Sequence, residues 1–208
     1  MRHPLAAAAL LLATLAPAAA QDRPPLHPSR DVSVTYRVEG GAPGPGAANS
    51  GPMEMRLSWN NAEQKMRMDM PGGQGWSVTD MRTGGIFIVQ DAARMVMRMP
   101  PDPSRPNPAQ PGPDMRFTRG SGDTVLGHRC TVWTIRGPEG EGEACITAEG
   151  VMLRSRGAAM GASGSMVATQ VAFGAQDPAR FQVPQGYQTM QMPGMPGAPA
   201  APGRPPAR

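Results

Sequence analysis

The chain has 208 residues, a formal net charge of +4 and 17% charged residues, and it carries 26 glycines and 25 prolines. Glycine and proline at that level mark low-complexity segments rather than packed cores, so the fold has to be sought between them. Lys65 is the only lysine, and the arginines are dispersed with no aromatic-interleaved basic stripe, which argues against nucleic acid as a partner.

Residues 1–20 read as an export signal. Arg2 and His3 form a short basic start, Leu5 to Leu15 is an apolar run, and APAAA ending at Ala20 offers the small residues a signal peptidase reads. The expected product is periplasmic or secreted, beginning near Gln21. An integral membrane anchor is not expected, because no later segment approaches the roughly 20 apolar residues of a spanning helix. Residues 31–189 are expected to form one domain with Gly/Pro-rich inserts at 40–52 and 100–113, followed by a disordered Pro/Gly/Met tail over 190–208.

Between the inserts the dominant period is two, the mark of strands. In chain order the segments are VSVTYRVEG from Val32, MEMRLSW from Met53, KMRMDM from Lys65, WSVTD from Trp76, IFIVQ from Ile86 and RMVMRM from Arg94. The second half continues with MRFTRG, TVL, HRCTVWTI, EACITA, VMLRSR and MVATQVAFG. Short connections such as NNAE, PGGQG and RTGG favour antiparallel hairpins over crossovers. One helical turn is expected at QDPARF, with Asp177 as cap and Pro178 in the first helical position. The predicted fold class is mainly β: a strongly curved antiparallel sheet, a half-barrel of about ten or eleven strands, with little helix.

Alternation gives the methionines a direction. Met53, Met55, Leu57 and Trp59 point one way while Glu54, Arg56 and Ser58 point the other, and Met66 and Met68 oppose Arg67 in the same manner. Met95, Met97 and Met99 repeat the pattern near residue 100. One face is thus paved with thioether, Leu and Trp, and such a face must be buried against something. Met55, Leu57, Trp59, Met66, Met68, Met97 and Met99 are the candidate wall for an apolar guest, because methionine re-packs around guests of different shape. The competing readings are ordinary core filling, and Cu(I) held by thioethers of Met66, Met68, Met95 and Met97, since soft sulfur selects that ion. Trp59, Trp76 and Trp133 are the large anchors, as core or as cavity wall.

Cys130 and Cys145 are the only cysteines. In an exported chain an isolated pair on two strands joined by a turn-rich link reads as one disulfide. Catalytic signatures are missing: there is no H-E-x-x-H, no phosphate-binding loop, no dinucleotide fingerprint and no histidine pair at zinc spacing. GASGS at Gly161 lacks the closing glycine and the following helix of a nucleophile elbow. The chain is expected not to be an enzyme and to need no cofactor.

The run MRLSWNNAEQKMRMDM, then GWSVTDMRTGGIFIVQDAARMVMRM, LGHRCTVWTI, EACITAEGVMLR and DPARFQVPQGYQ resembles an uncharacterised family of exported bacterial proteins related to the lipoprotein-carrier (LolA/LolB-like) fold. Its most particular parts are G-x-x-C-x-x-W over Gly127 to Trp133 and F-x-V-P-x-G-Y over Phe181 to Tyr187. The resemblance implies a curved antiparallel sheet whose concave side holds a lipid, an acyl chain or another hydrophobic small molecule. Carriers of that type cover the cavity with helices, which this sequence does not supply. The functional expectation is a non-enzymatic periplasmic protein binding a hydrophobic ligand or an envelope component. Copper binding and a ligand-free scaffold are the alternatives.

Overall fold

The computed structural model describes residues 23–41, 52–101, 112–138, 140–159 and 162–191. The export signal, most of both Gly/Pro-rich inserts and the tail beyond Gln191 lie outside the described residues. Within them are twelve strands: β1 Val32–Gly41, β2 Met53–Asn60, β3 Lys65–Asp69, β4 Trp76–Asp80, β5 Ile86–Gln90, β6 Met95–Met99, β7 Arg116–Val125, β8 His128–Gly137, β9 Gly140–Ile146, β10 Met152–Ala159, β11 Ala162–Phe173 and β12 Gln188–Gln191. The predicted segments MRFTRG and TVL are a single strand, β7, bulged between Arg119 and Gly122. Met190 and Gln191, assigned from sequence to the tail, belong to β12.

All twelve strands form one open sheet in the order β12-β6-β5-β4-β3-β2-β1-β11-β10-β9-β8-β7. The mainly antiparallel, curved half-barrel is therefore as expected, but it is not one continuous meander. Two meanders, β2 to β6 and β7 to β11, flank β1, which pairs with β2 on one side and with β11 on the other. Hairpins close in the way short turns allow. Leu126 and Gly127 both have positive φ, at 52° and 78°, the combination that a two-residue turn twisted like its strands requires.

From β1 through β6 the pairings run without a bulge, so residues two apart keep to one face across six strands. The first face carries Val32, Val34, Tyr36, Leu57, Trp59 and the methionines. The second carries Ser58, Arg67, Asp69, Trp76, Val78, Val89 and Val96. The sequence alone suggests that this second face is charged and solvated, and over β4 to β6 it is instead a sealed core. Val78 is 1% exposed and Val89, Val96 and Phe181 are fully buried, packed with Trp76. Phe181 arrives from after β11, where the chain crosses this face through the expected turn, Pro178–Phe181, with the Asp177 side chain accepting from Ala179 N at 2.9 Å.

A second hydrophobic cluster joins the two meanders. Val32, Val34, Tyr36 and Trp59 pack with Cys130, Cys145, Val151, Leu153 and Ala168. Cys130 and Cys145 form a disulfide across β8 and β9 with Cα atoms 5.4 Å apart, closing a loop worth about 3 kcal/mol in the chain-entropy account. The Asp31 carboxylate accepts from Asn61 N at 2.7 Å and from Gln176 N at 2.9 Å, tying the start of β1 to the β2–β3 turn and to the crossing segment. His27 stacks on Trp59, with ring centroids 5.4 Å apart.

Candidate functional site

The alternation that orders β2, β3 and β6 places Met55, Leu57, Trp59, Met66, Met68, Met97 and Met99 on one face of the sheet. They fall into two groups. Leu57 pairs with Met68 and Trp59 with Met66, while Met97 and Met99 lie on β6 beyond β4 and β5. The gap is bridged by side chains absent from the sequence-based set: Ser77 and Thr79 oppose Met68 and Met66, and Ile88 and Ile86 oppose Met97 and Met99. The alternation of IFIVQ carries the signal for the two isoleucines, since Phe87 and Val89 are turned to the sealed core.

Burial separates these residues. Trp59 is 1% exposed and belongs to the core beneath His27. Met55, Leu57, Met66, Met68, Ile86, Ile88, Met95, Met97 and Met99 are neither buried nor fully exposed. Met55, Leu57 and Met66 pack against the cluster of Tyr36 and Trp59, and the others form a half-open apolar surface interrupted by two hydroxyls on β4. The four thioethers considered for Cu(I) do not converge. Met66 and Met68 stand three strands from Met95 and Met97, roughly 14 Å at the usual strand spacing.

The opposite face explains why the arginines alternate with the methionines. Arg67 lies 3.8 Å over the Trp76 ring, binds Asp69 at 2.6 Å and donates to the Arg180 carbonyl at 2.7 Å. Arg180 in turn reaches Asp69 at 3.3 Å. Burial, and then the positive charge of Arg67, lowers the pKa of the Arg180 guanidinium. These side chains, expected to be merely solvated, pin the crossing segment instead. Phe181, Val183 and Tyr187 of the F-x-V-P-x-G-Y motif pack onto β4 to β6, and Gly186 takes a φ of +74° with Arg94 close by. Trp76 is therefore a core residue of the second face.

A cleft of about 630 Å³ lies elsewhere, where β7, β8 and β9 meet the N-terminal segment. Trp133, 4% exposed, lines it together with Arg23, Arg119 and Arg129. Its one acid, Asp123, is paired with Arg154 at 2.6 Å. The Thr124 amide, followed by that arginine, holds the Asp123 carboxyl below the usual carboxylate range. With three arginines in its walls, the cleft suits an acyl chain poorly. Among the described residues there is no group of three or more His, Cys, Asp or Glu side chains that could hold a metal ion, and no helix long and apolar enough to cross a membrane.

No family model matches the sequence, and no curated protein matches it. Among solved structures, an uncharacterised conserved protein from Thermus thermophilus aligns with a TM-score of 0.55 at 11% identity, over 79% of this chain and 91% of that one. The Pseudomonas aeruginosa MucA/MucB complex aligns at 0.49 and 15% identity, over 78% of this chain and 58% of that chain. A LolA superfamily protein from Nitrosomonas europaea aligns at 0.39 and 7% identity, over 75% of this chain and 91% of that one. At such identities the likeness is one of fold: this chain shares with the Thermus protein the architecture of its open, curved, antiparallel sheet.

Proposed function

We propose that the chain is an exported, non-enzymatic binding protein whose methionine face receives an apolar guest, such as a lipid or acyl chain. One observation carries the reading: the bulge-free sheet from β2 to β6 seals one face under Phe181, and on the other, where Met55, Leu57 and Met66 pack against the Trp59 cluster, it leaves Met68, Ile88, Met97 and Met99 half open. A protein in water gains nothing from a broad apolar surface facing solvent, and such surfaces mark interaction sites. The Cys130–Cys145 disulfide agrees with an oxidising compartment.

Native mass spectrometry of the full chain purified from periplasm tests this, with fluorescence titration of an environment-sensitive acyl probe. A co-purifying lipid mass is expected, and Met68→Asp should weaken probe binding about tenfold or more by placing a charge among apolar groups. Glu54→Gln, on the opposite face, should leave it unchanged. Absence of both lipid mass and probe binding, or equal binding by Met68→Asp, would refute the proposal and leave a scaffold without a small ligand.

A further inference from the structure

We infer that the edge formed by β6 and β12 is a Cu(I) site, built from Met97 and Met190 with Met95 or Met99 as the third thioether. β12 runs parallel to β6 and sets Met190 opposite Met97, which brings their Cα atoms to about 5 Å. Met95 and Met99 stand two residues to either side on the same face of β6, each about 6.7 Å along the strand. Methionine has three rotatable bonds, so thioethers spaced this closely can converge on one ion. The Met66 and Met68 pair, three strands away, takes no part.

Packing does not account for Met190. It is 50% exposed on a four-residue edge strand whose residues are all exposed, a position where charged residues or proline normally protect the edge. Met95, Met97 and Met99 are half-buried, so none of the three is sealed from solvent. The arginines that interrupt the methionines in sequence are not beside them in space. Arg98 pairs with Phe87 on the opposite face, and the Arg94 guanidinium lies 5.7 Å from the Tyr187 ring centre. On the site's own face the neighbours are Ile86, Ile88, Gln90 and Gln188, which carry no charge.

Neutral, soft thioethers select Cu(I) over harder divalent ions. They bind no proton in the pH range of a cell, so loading releases none and affinity does not follow pH as it does for His or Cys ligands. The site shares the β6 methionines with the apolar-guest face, but it is read by copper stoichiometry and coordination, whereas the guest reading is read by lipid mass and probe fluorescence.

The test is an anaerobic titration of the full chain against a chromophoric Cu(I) chelator, with X-ray absorption on the loaded protein. One equivalent with sulfur-only coordination is expected, with affinity flat from about pH 5 to 8. Met97→Leu and Met190→Leu should each weaken binding about tenfold or more through loss of a ligand, while Met68→Leu should not. Leucine keeps the apolar volume, and unchanged thermal unfolding identifies variants that fold normally. The site is disproved by absence of stoichiometric binding, by full affinity in the Met97→Leu/Met190→Leu double variant, by an equal loss in Met68→Leu, or by nitrogen ligation with affinity falling toward acid pH.

Discussion

Tyr36 does the work of two residues. Its side chain is 2% exposed within the cluster that joins the meanders, and its hydroxyl donates to the Met152 carbonyl at 2.7 Å, linking β1 to the start of β10. Burial raises its pKa above the ordinary value of 10.0. Below the ordinary value both folded and unfolded chains keep the proton. Above it the unfolded chain releases a proton that the folded one retains, so stability falls as pH rises toward the folded value, by up to about 1.4 kcal/mol per pH unit. Tyr36→Phe should cost about 1–2 kcal/mol at neutral pH, for the lost hydrogen bond and the carbonyl it leaves behind. The same change should remove most of the alkaline slope, so the two stability curves converge as pH rises. Urea unfolding from about pH 8 to 11, across the phenol range, reads both effects, and an undiminished slope in the variant would contradict this account. The Tyr187 phenol is also raised, first by its hydrogen bond to Asp91, and whatever slope it adds is common to the parent and the variant.

At the scale of elements, the crossing segment between β11 and β12 decides which face of the sheet is core. Phe181 is fully buried among Trp76, Val78, Val89 and Val96, so Phe181→Ala should destabilise by about 3–5 kcal/mol. Hydrogen exchange locates the damage: amides of β4 to β6 should lose protection while the β1–β11 pairing keeps its own. Uniform loss across the sheet would show that the second core is not a separate unit. The strands themselves are legible in sequence because period two is a local property, and so is the capped turn at Asp177. The faces are less so. Alternation says that Trp76, Val78, Val89 and Val96 share a side, but the residue that covers them is Phe181, on a segment that no local pattern connects to β4. For the same reason Arg67, Arg180 and Asp69 read as surface charges until the crossing is placed over them. The methionine stripe could be drawn from β2, β3 and β6, whereas Met190 could not be added to it, because a parallel pairing between chain segments this far apart leaves no mark in either one.

The whole molecule depends on two long-range closures. The first is the β1–β11 seam, in which Val32 pairs with Phe173 and Val34 with Val171, supported by the cluster that includes the disulfide. The second is the return of Phe181 across β4 to β6. In a single continuous meander, the simplest path short hairpins allow, a half-chain would keep much of its core. The observed topology makes a different prediction. A fragment of residues 23–101 retains six strands of regular pairing, yet it lacks β11 on one edge of β1 and lacks Phe181, leaving a single layer with both faces unsealed. Single layers do not bury enough apolar surface to offset the entropy of ordering the chain. The fragment should therefore show no cooperative urea transition and should exchange its amides at near-unfolded rates. Co-refolding with a fragment of residues 102–208 supplies both closures and should restore the native circular dichroism spectrum and one cooperative transition. A fragment 23–101 that unfolds cooperatively by itself would mean that the β2–β6 meander carries its own core, and the division of labour between seam and crossing would be wrong.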